Sequence, residues 1–398
     1  MTPAYALAKN SPQPYTANMK TSLSYVLVTP YAIAKGRTGG ILSRLLSRTN
    51  LDLVGAQMLT VDETFAKRYA AVLRNRTPKD CPPMLADYAE WSLVQPSGGT
   101  NQVLLLLFRG ENPCEQLAPI CYDTKAGDGN ARCGTIRDTF GDFVILSESG
   151  MTYFEPAVLT ADNQREADED LRMMAAFLKG KENLANPCPP DAERTLVIIK
   201  PDNWTFHSAR PGAIIDIFSG TGLGLVGVKI HHFSLAQALD FYGPVAAVLK
   251  EKLSGRFGKR ARELLEREFG FPLCEETAKT ITDTFGADCA ANEFAQIVEF
   301  MSGKRPGDCP KDELGKPGDA KCMILVYEGE NAVAKIRTAL GPTNPADALD
   351  GTVRREFGQS VMVNAAHASD SAESFLREKD IIKMEENTLG AIIKEHLG

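Results

Sequence analysis

The sequence predicts an α+β protein made of two ferredoxin-like (split βαβ) α/β-sandwich domains in tandem. Three observations carry that expectation: an internal repeat, short apolar runs alternating with helical patterns, and connections too short for an extended doubly wound sheet. Tyr25-Val26-Leu27-Val28-Thr29-Pro30 lines up with Leu196-Val197-Ile198-Ile199-Lys200-Pro201. Each run reads as a buried strand stopped by proline, which cannot continue a sheet ladder. A glycine-started apolar helix follows in both copies, Gly40–Leu46 and Gly212–Phe218. A second strand comes next, Leu51–Ala56 and Leu223–Val228. Farther on, Arg109-Gly110-Glu111-Asn112 matches Glu328-Gly329-Glu330-Asn331 after a third strand, and Gly134–Gly141 matches Gly351–Gly358. Five matches in one order define a duplication. The first domain spans 21–178, a polar linker containing Pro187, Pro189 and Pro190 spans 179–193, and the second domain spans 194–398 with an insertion at about 252–291. Within that insertion Phe257, Ala261, Leu264, Leu265 and Phe269 recur at helical spacing.

The 398 residues are 43% apolar and 24% charged with a net charge of −7, which describes an acidic globular protein rather than a general nucleic-acid binder. The longest apolar runs, such as Val103–Phe108, are far too short to span a bilayer, and residues 1–20 read as a polar lead-in without a signal-peptide core. Nine cysteines without a CxxC pair favour reduced thiols and a cytoplasmic setting over disulfides or zinc.

Chemistry concentrates around Asn364-Ala365-Ala366-His367-Ala368-Ser369-Asp370-Ser371. A neutral imidazole is a nucleophile near pH 7, and the nearby Arg337, Thr343, Arg354 and Asn364 are donors suited to a polyphosphate. No GxGxxG or GxxxxGKS/T loop follows the first strand of either copy, so side chains must hold any phosphate. His207, His231, His232 and His396 have no surrounding carboxylate or cysteine pattern and are expected at the surface. Lys259-Arg260-Ala261-Arg262 looks basic, but Arg262/Glu266 and Glu263/Arg267 pair at helical spacing, so it reads as a solvated helix face.

The second copy resembles nucleoside diphosphate kinases. Ile199-Lys200-Pro201-Asp202, Arg337–Asp347, Gly351–Arg354 and Asn364–Ser371 carry the resemblance, and the spacing from Arg337 to Glu378 matches without a gap. By this resemblance His367 is the phosphorylated residue, and Ser369 and Glu378 orient it. Lys200 contacts the transferred phosphate and the ribose, Arg337, Thr343 and Arg354 bind phosphate, and Asn364 contacts the ribose. Tyr242 stands near the nucleotide, with Phe241 where the family has a histidine, and Glu293 replaces the aromatic that stacks on the base.

The resemblance implies ping-pong transfer of a terminal phosphate from a nucleoside triphosphate to a nucleoside diphosphate. Mg²⁺ is carried by the nucleotide phosphates rather than by protein ligands, and no nucleic acid or membrane takes part. It also implies a homo-oligomer, with three fused chains standing in for six subunits as one arrangement. A catalytically decayed nucleotide-binding regulatory or scaffold protein is the alternative, motivated by Glu293 and the insertion. A protein-histidine phosphotransfer partner is a third.

The first copy lacks the chemistry, since no histidine precedes His207 and Thr29 stands where Lys200 does. The position matching His367 falls near Gly150 without a gap. It falls near Leu159 if Ala161-Asp162-Asn163 aligns with Ser369-Asp370-Ser371.

Overall fold

The structure is a computed structural model that describes residues 21–76, 84–94, 101–122, 134–145, 152–184 and 188–398. The lead-in at 1–20, Gly150, Pro187, Cys81 and Cys133 lie outside these residues. The chain divides into two units: Met1–Ala185 with Asn203–Gly222 and Asn387–Gly398, and Asn186–Asp202 with Leu223–Glu386.

Strands of the first unit are β1 (Ser22–Val28), β2 (Asp52–Thr60), β3 (Gln102–Gly110), β4 (Asp142–Ile145), β5 (Thr152–Glu155) and β6 (Val158–Leu159). An antiparallel sheet runs β2-β3-β1-β6, and β4 and β5 pair as a separate two-stranded antiparallel sheet. Its helices are α1 (Pro30–Ala34), α2 (Thr38–Arg48), α3 (Glu63–Arg76), α4 (Met84–Trp91), α5 (Pro113–Cys121), α6 (Ile136–Phe140) and α7 (Gln164–Leu178). Leu23, Tyr25, Leu27, Phe65, Tyr69, Leu105, Leu107 and Leu171 are buried in its core.

The second unit's strands are β7 (Glu193–Ile199), β8 (Gly224–Ser234), β9 (Pro317–Gly329) and β10 (Ala366–Ala368), paired antiparallel in the order β10-β7-β9-β8. Both sheets therefore place the fourth strand beside the first and the third between the first and second, which is the split-βαβ order. Helix α8 (Arg210–Ser219) follows β7 in sequence but belongs to the first unit. Next come α9 (Leu235–Phe269), α10 (Glu275–Ile281), α11 (Ala287–Ser302), α12 (Ala332–Leu340), α13 (Val353–Phe357) and α14 (Ala372–Ile381). The final helix, α15 (Leu389–Leu397), is again part of the first unit. The inserted residues continue α9 beyond Tyr242 and add α10, with the half-buried Arg262 and Glu266 paired at 2.8 Å.

Duplication extends to backbone detail. A register shift falls between Leu53 and Gly55 in one sheet and between Leu225 and Gly227 in the other. Asn112 and Asn331, the N-caps of α5 and α12, both adopt left-handed backbone at φ 46° and 54°. Within the first unit α2 and α8 lie almost backbone to backbone. A Cβ on Gly39 would stand 2.4 Å from the Gly212 carbonyl oxygen, and one on Gly212 would stand 2.3 Å from that of Gly39. Glycine is required there by space, since any side chain would force the helices apart.

β7 is buried from Arg194 to Ile199, so its apolar run is continuous rather than alternating. Its end delivers Lys200, and its antiparallel neighbour β10 delivers His367 opposite Ile198. Among the described residues no helix is long and apolar enough to cross a membrane, and the described cysteines are free thiols.

Candidate active site

Lys200 leaves the end of β7 nearly buried, and its backbone N–H donates to the Ala365 carbonyl at 2.9 Å. Its ammonium donates to Asn364 Oδ1 at 2.7 Å and to the Met362 carbonyl at 3.3 Å. The Asn364 amide in turn donates to the carbonyls of Thr343 at 3.1 Å and Val361 at 2.9 Å. Ala365 takes φ 67°, a left-handed conformation that costs an alanine about 1–2 kcal/mol. That turn swings the chain into β10, where His367 begins to pair with β7.

The His367 ring is held from two directions. Its Nε2 lies 3.1 Å from both carboxylate oxygens of Glu378, and Glu378 Oε2 also accepts from Ser369 Oγ at 2.7 Å. Phe241 meets the imidazole edge-on, with centroids 5.3 Å apart and planes at 73°. Glu378 and Ser369 are buried while His367 keeps partial access to solvent. Ser369 therefore fixes the carboxylate, and the carboxylate fixes the ring. His367 sits on an edge strand rather than at a helix start; α14 begins at Ala372 behind a Ser371 cap that accepts from the Ser374 N–H.

Cations cluster beside this ring. Arg354 donates to the carbonyls of Gly341 at 3.1 Å and Ala366 at 3.2 Å, while its buried Nε has no hydrogen-bond partner. Burial, helped by the positive field of Arg337, pushes Arg354 down to about 10, with Tyr242 opposing. Burial and then the field of Arg354 push Lys200 down to about 8, against the opposing pull of Asp202 and Cys322. Arg337 is exposed in the last turn of α12. The Ser374 hydroxyl first of all, and then Arg337 and His367, hold Asp370 low. Tyr242 is buried with its hydroxyl unpartnered, and desolvation raises it well above a free phenol. Thr343 is exposed, and its contact to Asn364 is through its backbone carbonyl. Crowding positive charges into a partly dry site is costly without an anion to neutralise them. Among the described residues no cluster of three or more His, Cys, Asp or Glu is placed to hold a metal ion.

Two neighbours complete the surroundings of the ring: Phe241, which stands where the resemblance expects a histidine, and Arg377, which the sequence did not single out. Phe241 packs on His367, and Arg377 donates to the backbone carbonyls of Asp240 at 3.2 Å and Phe241 at 3.1 Å. His231 is not at the surface: it is buried against Phe233, edge-on at 4.7 Å, because it lies on the inward side of β8. His396 is half-buried and does have a carboxylate partner, Asp168, at 3.0 Å.

The first copy shows what happened to the same positions. Leu27 pairs with Leu159 as Ile198 pairs with His367, so a leucine holds the histidine's place and the alignment through Leu159 is the one realised. The Thr29 N–H donates to the Ala157 carbonyl at 3.0 Å, and Ala157 has φ 61°, matching Lys200 and Ala365. Asn163 caps α7 as Ser371 caps α14. The residue in register with Glu378 is Asp170, whose carboxylate accepts from Tyr25 at 2.7 Å and from Arg76 at 2.8 and 3.0 Å. Arg137 persists in place of Arg354, likewise pushed down to about 10 by burial.

The chain is similar to known proteins over part of its length. The family model for nucleoside diphosphate kinase matches residues 317–387. A nucleoside diphosphate kinase of Chlamydia pneumoniae is 30% identical over 182 residues, covering 46% of this chain and 84% of that protein. One from Chlamydia muridarum is 31% identical over 182 residues, covering 46% and 86%. A crystal structure of the Aquifex aeolicus nucleoside diphosphate kinase aligns over 50% of this chain and 98% of that one, at 25% identity and a TM-score of 0.29. With more than four-fifths of two such relatives covered, the chain belongs to the nucleoside diphosphate kinase family.

Proposed function

We propose that the chain is a nucleoside diphosphate kinase with one working site. It moves the terminal phosphate of a nucleoside triphosphate to a nucleoside diphosphate through phospho-His367, in two half-reactions. The observation that carries the proposal is the contact of His367 Nε2 with both oxygens of Glu378. A carboxylate at Nε2 favours the proton on that nitrogen, which leaves the lone pair on Nδ1. Nδ1 attacks the terminal phosphorus, the N–P bond forms, and the bond to the bridging oxygen breaks with its electron pair leaving on the diphosphate. The ring becomes cationic as it is phosphorylated, and Glu378 stabilises that charge. The second half-reaction runs the same step backwards onto a new diphosphate.

Phosphoryl transfer spreads charge over the equatorial oxygens, so positioned cations supply most of the catalysis. Lys200, Arg337 and Arg354 are the groups for that role, and the lowered values of Lys200 and Arg354 support it, because an arriving phosphate restores both. Tyr242, Thr343 and Asn364 complete the nucleotide's surroundings. Mg²⁺ carried on the substrate phosphates would neutralise part of their charge. Incubation with ATP labelled at the terminal phosphate and Mg²⁺ tests the reading. One acid-labile phosphate per chain is expected, with none in His367→Asn; equal label in that variant ends the proposal.

A further inference from the structure

Behind the reacting groups lies a buried cation that the chemistry above does not use. Lys229, in the middle of β8, is almost fully buried. Its ammonium donates to the Lys383 carbonyl at 2.6 Å and the Ile382 carbonyl at 3.4 Å, at the carboxyl end of α14. Beside it, Gln237 Nε2 donates to the Ile381 carbonyl at 2.8 Å. Gln237 is itself fixed, since its Oε1 accepts from the Ser234 N–H and its N–H donates to Ser234 Oγ in the capping box of α9. The Ile381, Ile382 and Lys383 carbonyls, in and just beyond the last turn, thus each accept from one of these two side chains, that of Lys383 also from the Glu386 N–H at 3.0 Å. Lys383 stands at φ 51°, so the chain turns sharply at this point.

Glu378 lies in the last turn of the same helix, and its own carbonyl accepts from the Ile382 N–H at 3.2 Å. A shift at Ile382 therefore moves the backbone that carries the carboxylate. From the β8 side the same ground is filled by aromatic rings meeting edge-on. His231 packs on Phe233 at 4.7 Å, Phe233 on Phe241 at 5.5 Å, and Phe241 on His367 at 5.3 Å. Burial pulls Lys229 down to about 8, with Glu386 opposing and Lys383 adding to the effect. Keeping a lysine in such a place is expensive, and methionine would fill the volume without that cost.

We propose that Lys229 and Gln237 are positioning residues: they anchor the carboxyl end of α14, set where Glu378 stands, and so select the tautomer of His367 that leaves Nδ1 free. This rests on the phosphohistidine reading, but its test is readable without turnover. In ¹⁵N-histidine-labelled full-length protein, the His367 ring reports which nitrogen carries the proton. In the wild type the Nε2–H form is expected to dominate. Lys229→Met and Gln237→Leu should each mix the tautomers and slow phosphorylation by ATP by about 10- to 100-fold, the scale of a small misplacement at a reacting centre. Nucleotide binding should not change.

Combining Lys229→Met with Glu378→Gln should cost less than the sum of the two, because both act through one contact. A merely structural lysine would lower stability while leaving the tautomer as it was. If Lys229→Met does not fold, Gln237→Leu, at a half-buried site, decides alone. Unchanged tautomer and rate in a folded variant overturn the proposal. A wild type that takes no phosphate but loses its tautomer preference in the variants sinks the functional reading and leaves the anchor standing.

Discussion

Glu378→Gln is the sharpest test of how the imidazole is made reactive. The substitution keeps the side-chain volume and removes one negative charge from a carboxyl that is 4% exposed. That carboxylate accepts from Ser369 Oγ at 2.7 Å and faces His367 Nε2 at 3.1 Å through both oxygens. A hydrogen bond to a charged partner is worth about 1.5–3 kcal/mol. At 1.36 kcal/mol per tenfold, phosphorylation of His367 should slow by about 10- to 150-fold. The loss should fall on the chemical step, because positive charge builds on the ring only as the N–P bond forms. Rapid-quench measurement with terminally labelled ATP and Mg²⁺ should show a slower burst at unchanged nucleotide affinity. A variant phosphorylated at the wild-type rate would refute the argument. It would mean that the two contacts at 3.1 Å neither choose the tautomer nor stabilise the product.

Other expectations follow from the same geometry. Lys200 titrates at about 8 in the fold against 10.5 for a free lysine, so triphosphate binding measured by calorimetry should weaken as pH rises through 8. Between those values the unfolded chain holds the extra proton, so the unliganded fold should gain stability as pH rises across that window. Lys200→Met should flatten the part of that rise that Lys229 does not share, as denaturant titrations will show. Gly212→Ala forces a methyl to 2.3 Å from the Gly39 carbonyl oxygen and should destabilise the first unit by about 1–3 kcal/mol, read by thermal unfolding. Thr29→Lys combined with Leu159→His should leave phosphate at one per chain. Asp170, where Glu378 would be needed, is already committed to Arg76 and Tyr25. A second phosphate on that variant would show that the register argument is wrong.

Much of this protein can be read along the chain because its informative features are local. Proline after an apolar run marks the ends of β1 and β7, and matched tetrapeptides mark the repeat. His367, Arg337, Arg354 and Lys200 are the candidates that residue type and spacing pick out. Even the loss of chemistry in the first copy is written as a missing histidine and a threonine in place of Lys200. What the chain could not say is which atoms meet. The choice between Gly150 and Leu159 was settled only by antiparallel pairing, where Leu27 faces Leu159 as Ile198 faces His367. His231 reads as an ordinary surface histidine until β8 is laid down with that side inward. Lys229 carries no signal in the sequence, and only the folded chain brings its ammonium to the Lys383 carbonyl at the end of α14. Burial and long-range contact belong to the folded chain as a whole. Residue type sets what a group is able to do, and tertiary structure sets the partner and the dielectric in which it does it.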